Sequence, residues 1–441
     1  MMGNSGGCGR KNDAASQLYA GHSQMFQTAD SDRHVQSVIH LRIGSPSGKV
    51  FIPPLRSSGP DSGGCSRRLT TPGRPSNLRG VVPEIQHSPL EAAHVALGAK
   101  LVSFAGWNMP VQYTSIIDEH TAVRTACGIF DISHMGQFIV SGRTAAAWLN
   151  GLLTNDISKL GVGEGQYTLM LNETGGVIDD LIAYRSGEEE FFLVVNASMI
   201  EEDFFWMAAR QDEDVVLRNE SALWAGMAVQ GPTSAAIFTK VFPGETLPPR
   251  NGIMTTKAGS VVCRTGYTGE DGFEFFSPAA EGIGYWQQFI AAGAKACGLG
   301  ARDSLRLEMG YPLNGNDLSP ERSPIEAGLG FFCAFEKGDF IGRDTLARQK
   351  ADGPAVKLTA IRYLDKGPPP RAHYPVVAAD GSVLGELASG VLSPSLMTGI
   401  GMAYLPAEFS TLGTALQVEV RGRLFPAEVV KKPFYKPAPS A

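Results

Sequence analysis

The chain has 441 residues, 43% of them hydrophobic and 9% aromatic, with a formal charge of −6. This is globular composition with length for two or three domains, and its mild acidity leaves no electrostatic footprint for nucleic acid. No apolar run approaches the ~18 residues that a membrane span needs. The six cysteines (Cys8, Cys65, Cys127, Cys263, Cys297, Cys333) lie far apart without a C-x-x-C pair, and the eight histidines do not cluster. That argues for free thiols in a reducing compartment and against a metal site.

Residues 1–86 are rich in Gly, Ser, Pro and Arg. They carry ten Lys/Arg against five Asp/Glu, so the remainder of the chain holds −11. Without apolar periodicity this stretch lacks the means to bury a core, and it is expected to be a disordered or mis-assigned N-terminal extension. "SPLEAAHVALGA" predicts a helix with Ser88 as N-cap and Gly98 closing it. "SIIDEHTAVRTACG" predicts a second helix over Ser115–Ala126, and "TAAAWLNGLL" a third. A meander follows, with "QYTLML", "VIDDLIAYR" and "FFLVVN" as strands between the turns "NETGG" and "SGEEE". "SMIEEDFFWMAAR" predicts a helix opened by a capping box of Ser198 and Glu201. Strands in "LWAGMAVQGP" and "AGSVVCRTGYTGEDGFEFF" and a helix around "GYWQQFIAAGAKA" complete an α+β pattern. Beyond about residue 353, short strands with turn signals, "ADGS" among them, predict an antiparallel barrel or sandwich.

"GGVIDDLIAY" (Gly175–Tyr184) sets two aspartates side by side in an apolar strand. Alternation places Val177, Asp179, Leu181 and Ala183 on one face and Ile178, Asp180, Ile182 and Tyr184 on the other. A buried, unpaired carboxylate costs several kcal/mol or shifts its pKa. Each aspartate therefore needs hydrogen-bond donors or a ligand cavity, unless the strand is an edge with one Asp near solvent. The chain has no Walker A loop, no G-x-G-x-x-G after a strand, no H-E-x-x-H and no kinase signature, so nucleotide-driven and nicotinamide chemistry have no support.

Eight motifs occur in order: "FAGWNMPVQY", "FDISHMGQF", "LTNDI", "GGVIDDLIAY", "VQGP", "RTGYTGEDGFE", "GLGARDSLRLE" and "SGVLSPSL". Together, from about Ser88 to Lys436, they resemble the aminomethyltransferase, or T-protein, family of the glycine cleavage system. The resemblance implies an α+β, three-domain cloverleaf-like fold. Residues 88–345 would form two intertwined folate-binding domains and 354–436 the C-terminal antiparallel β-barrel. It implies transfer of a methylene from the aminomethyl group on the lipoyl arm of H-protein to tetrahydrofolate. Ammonia is released and 5,10-methylenetetrahydrofolate forms. Matched by position, Asp180 would be catalytic, and Glu274, Arg302, Tyr167, Asn196 and Tyr267 would bind folate, with no metal. The partners would be lipoylated H-protein and tetrahydrofolate, with no nucleic acid or membrane, for a monomer in the bacterial cytoplasm (or the mitochondrial matrix of a eukaryote).

Read without the family, Arg302 would cap a helix or pair with Asp303, Tyr267 would sit in a plain turn, and His134 would be a satisfied interior histidine. Asp179 is expected to be structural, bonded to backbone amides of the Gly175–Gly176 turn. The alternatives are another tetrahydrofolate-dependent demethylase or methyltransferase, or a non-enzymatic folate-binding assembly factor. The latter branch carries a "KGCYTGQE"-type cysteine motif, where this chain has "TGYTGEDG". If the N-terminal stretch adds nothing to the core, a chain starting near Val81 should melt at the same temperature and stay active; a drop of several degrees in a thermal melt would show that it packs on the body.

Overall fold

A computed structural model describes residues 85–437, so the N-terminal extension lies, up to residue 84, outside the described residues. The meander forms as its periodicity requires. Strands β1 (Gly165–Leu171), β2 (Val177–Gly187) and β3 (Glu190–Val195) run antiparallel, and Gly136–Ser141 and Val216–Asn219 extend them to a five-stranded sheet. Helix α1 (Ile200–Ala208) and helix Ala145–Leu152 cover one face of this sheet, burying Met207, Trp148 and Leu149 against Phe138, Leu181 and Ala183. The capping box expected at Ser198 and Glu201 is absent. Met199 is the N-cap, no side chain caps the helix, and the entry turn is closed by the Met199 amide on the Asn196 carbonyl.

A second, six-stranded sheet contains β4 (Gly272–Pro278) paired antiparallel with Trp224–Gln230. Phe273 and Phe275 of β4 pack under helix Gly282–Ala292. The opposite faces of the two sheets meet through Phe130, Ile139, Tyr184, Phe192 and Phe276. Ser88 departs from its expected capping role. Helix Glu91–Ala96 has Leu90 as N-cap, and Ser88, although its hydroxyl accepts from the Leu90 amide, also donates to the buried Asp131.

Six strands from Val356 to Val430 close into an antiparallel barrel, as the C-terminal turn pattern anticipates. "ADGS" makes its hairpin turn, with Gly381 at φ 89°. Helix α2 (Leu299–Glu308) is wedged between this barrel and the sheets; Leu307 packs with Leu169 and Val177 on one side and with Val391 and Met402 on the other. Polar ties lock the wedge. Arg306 reaches Asp317 at 2.8 Å and Ser389 of the barrel at 2.8 Å. Glu308, fully buried, takes Arg124 at 2.8 Å, His120 at 3.3 Å and the hydroxyls of Ser393 and Ser395.

Burial pushes the Glu308 carboxyl up, but His120, Ser393 and Arg124 outweigh it and hold it at about 2, below its ordinary 4.5. The folded-state value lies below the unfolded one, so this stabilisation is full above the unfolded value and is lost as pH falls toward the folded one. Glu308→Gln should cost about 3 kcal/mol at neutral pH, the worth of that displacement. In denaturant titrations the gap from wild type should close as pH falls from 4.5 toward 2.

Candidate active site

Pairing of β1 with β2 sets Leu169 opposite Asp180 and Met170 opposite Asp179. Leu169 faces α2 and the barrel, whereas Met170 faces the helices on the other side of the sheet. The two aspartates therefore point into different layers. Asp179 is fully buried on the helix side, and Asp180 is half-buried on the α2 side beside Tyr167, its diagonal neighbour across the strands. The Tyr167 hydroxyl donates to Asp180 Oδ2 at 2.9 Å, and its ring lies against Phe332 at 4.5 Å between centroids.

Asn196, at the end of β3, serves both carboxylates. Its amide donates to Asp179 Oδ2 at 3.0 Å, and its Nδ2 lies 2.8 Å from Asp179 Oδ1 and 3.1 Å from Asp180 Oδ1. Asn314 donates to Asp179 as well. This corrects the expected role of the Gly175–Gly176 turn, whose amides are taken by Asn172. Gly176 is needed there for a close approach, since a Cβ would sit 1.7 Å from the Pro320 carbonyl oxygen. Burial, then the Asp179 charge, push the Asp180 carboxyl up to about 7, with Tyr167 and Asn196 only partly opposing. A carboxyl so placed exchanges its proton in the neutral range. Burial and the Asp180 charge keep the Tyr167 phenol protonated, as a donor.

The remaining candidates line the next part of the interior. Glu274 alternates with the core residues Phe273 and Phe275 and so faces away from them; it accepts from the Thr265 hydroxyl at 3.0 Å, which in turn pairs with Tyr184 at 2.6 Å. Burial raises the Glu274 carboxyl while Arg302 and Thr265 draw it down. Arg302 stands in the first turn of α2. It neither caps that helix nor pairs with Asp303, which is held by Arg306. Its guanidinium carbon lies 4.8 Å from the Tyr267 ring centroid, and its Nη1 is buried without a partner. Tyr267 stacks on Tyr311 and donates to the Pro312 carbonyl, so it is more than a bare turn residue. It feels the charges of both Asp180 and Arg302 and thus links the two halves of the site.

The six expected residues thus form two groups, Asp180 with Tyr167 and Asn196, and Arg302 with Glu274 and Tyr267, which Tyr267 links. His134 differs from expectation: it is buried, but its Nδ1 has no partner, and burial with the nearby Arg302 lowers the ring to about 4, so it stays neutral. Asn314, Thr265 and Asp203 escape a motif reading. Of these only Asp203 leaves a trace in the sequence, a charged residue four positions before Met207 on the inward phase of α1.

An α+β body joined to a β-barrel, with a carboxyl poised near neutrality and, across Tyr267, a guanidinium with an unpaired donor, has the parts of an acid–base group-transfer enzyme. Comparison supplies the family. Residues 90–337 match the model described as the GCVT N-terminal domain, and residues 357–436 match the glycine cleavage T-protein C-terminal barrel domain. The chain is 43% identical over 364 residues to an aminomethyltransferase of Geobacillus kaustophilus, covering 80% of this chain and 100% of that one. It is 44% identical over 366 residues to one from Geobacillus thermodenitrificans, covering 81% and 100%. The solved glycine cleavage system aminomethyltransferase T of Bartonella henselae superposes with a TM-score of 0.76 at 32% identity, covering 80% of this chain and 99% of that one. The chain belongs to the aminomethyltransferase, or T-protein, family of the glycine cleavage system.

Proposed function

We propose that Asp180 is the general base of tetrahydrofolate-dependent aminomethyl transfer, and that Tyr167, Asn196, Glu274, Arg302 and Tyr267 hold the folate. The reaction is the family's: the methylene of the aminomethyl group on the lipoyl arm of H-protein passes to tetrahydrofolate, and ammonia leaves. The observation that carries the assignment of Asp180 is its carboxyl, pushed up to about 7 with a tyrosine hydroxyl fixed on one oxygen. A base of this kind steers an amine and accepts its proton as a carbon–nitrogen bond forms, which typically contributes 10²- to 10⁴-fold. Holding the reacting atoms together supplies the larger share.

The residues suit a folate. The unfilled Arg302 Nη1 can donate to a carboxylate or a ring carbonyl, and Glu274 can accept from amino and ring N–H groups as a bidentate pair. The stacked Tyr267 and Tyr311 offer a flat apolar wall to a planar ring. Lipoylated H-protein is the donor partner, and the bacterial relatives favour a cytoplasmic setting.

Asp180→Asn, nearly isosteric, should keep the fold and most folate affinity but lower turnover at least ~10²-fold. In wild type, kcat/KM should rise with pH through about 7 as Asp180 ionises. Turnover of Asp180→Asn near the wild-type rate, in an assay of methylenetetrahydrofolate formation from aminomethyl-loaded H-protein, would remove Asp180 from the role.

Arg302→Lys and Glu274→Gln should each weaken tetrahydrofolate binding by roughly 1.5–3 kcal/mol, because lysine lacks the planar fork and glutamine the charge. Calorimetric titration with mono- and polyglutamylated folate tells which end Arg302 holds: the Glu274 variant should be indifferent to the glutamate count. Unchanged dissociation constants in both variants would take these two residues out of the site.

A further inference from the structure

Behind Asp179 lies a third carboxyl that the transfer reaction does not use. Asp203, in the first turn of α1, is fully buried, and neither of its oxygens meets an N–H or O–H donor. The Asp179 carboxyl is the neighbour that acts on it most strongly, by its charge and as a hydrogen-bond partner. Asp179 already takes three N–H donations, two from Asn196 and one from Asn314. The charged groups facing the cluster are few. Asp203 feels Asp179, Asp180 and the exposed Glu202 of its own helix; Asp180 feels Asp179 and touches Tyr167 and Asn196; Tyr267 lies beyond Asp180. The largest influences on the three carboxyls are burial, their acidic neighbours and hydrogen bonds, with no cation among them.

Two carboxylates in contact in a buried setting do not both ionise. One proton must sit between Asp179 and Asp203, and the donors decide on which. Asp179 is supplied with N–H groups that favour its anion, whereas Asp203 has none and gains a hydrogen bond only as an acid. We propose that Asp203 is a positioning residue, a carboxylic acid that stays protonated through the working pH range, donates to Asp179, and so holds a single fixed negative charge behind Asp180. Burial first, then the Asp179 charge, drive the Asp203 carboxyl up to about 11, in keeping with this. The fixed charge raises Asp180 toward neutrality, so Asp203 acts on the reaction through two other side chains without touching substrate. This deepens the assignment of Asp180 as base and rests on it.

The test reads Asp203 apart from turnover. Infrared spectra of the wild-type protein should contain a protonated-carboxyl C=O band that persists to about pH 9, above the range in which ordinary carboxyls ionise. That band should be missing from Asp203→Asn. Its absence from wild type at that pH, or its survival in Asp203→Asn, overturns the proposal. Absence of the band from the wild-type spectrum overturns the proposal even if a variant fails to fold.

The pH profile of kcat/KM gives the second reading. Asp203→Asn is neutral, of equal size, and keeps an N–H for Asp179, so the rising limb should stay at its wild-type position. Asp203→Leu removes the O–H that favours the Asp179 anion, so Asp179 binds a proton more readily, and the charge it loses should move the limb down. A limb unmoved in a folded Asp203→Leu protein would mean that Asp203 merely packs. If Asp180 is not the base, Asp180→Asn remains active while the infrared band is untouched, so failure of the two ideas is distinguishable.

Discussion

Everything at this site depends on the two-residue period of a single strand. Because successive side chains of β2 leave on opposite faces, the adjacent Asp179 and Asp180 cannot share one environment. One is driven into the layer between sheet and helix, where Asn196 and Asn314 meet it; the other is driven into the layer shared with α2 and the barrel, where it meets Tyr167. Their separation through the sheet is small enough for each to feel the other's charge. A carboxylate on one face thereby raises the pKa of its neighbour on the other. The same pair on a helix would lie on neighbouring faces of one surface and would lose this division of labour.

The interior that receives Asp180 exists because three packed layers meet there. The two sheets press their apolar faces together through Tyr184, Phe192 and Phe276, and α2 enters from the side with its apolar residues toward both the sheet and the barrel. The first turn of α2 then carries Arg302 inward, and its last turn carries Arg306 and Glu308 into ion pairs and hydroxyl contacts with the flanking elements. The helix is thus anchored at its C-terminal end and presents an unpaired charge at the other. Precision at Arg302 comes from anchoring four to six residues away, on a rigid rod.

Much of this is legible in the residues alone. The meander, the barrel and most helices follow from apolar period and turn chemistry, which depend on near neighbours. Motif order points to the six candidate residues, since nothing in the period of "GLGARDSL" tells that Arg302 would forgo Asp303. What escaped is long-range polar bonding. Ser88 looks like an N-cap until Asp131, 43 residues away, claims its hydroxyl. Ser198 and Glu201 have the spacing of a capping box, but Asn196 turns the chain first. Asn314 reaches Asp179 across 135 residues. Local pattern has no access to such partners, and where a polar residue can bond near or far, tertiary context decides.

Arg302 and Glu274 carry the last step. They are opposite in sign, Glu274 buried and Arg302 half-buried, and each alters the other's ionisation, yet they do not close into an ion pair. Had stability been the only demand, the guanidinium would have collapsed onto the carboxylate, for a buried donor without a partner costs about 1–3 kcal/mol or more when charged. Instead Glu274 is tethered by Thr265, itself fastened by Tyr184, and Arg302 is propped against the Tyr267 ring. The tethers hold the charges apart at the expense of folding stability. Charges held apart in this way stay open to partners of opposite kind without a salt bridge first being broken or side chains reordered. The tethers thus keep a guanidinium donor and a carboxylate acceptor apart in fixed positions, where an ion pair between them would have removed both from use.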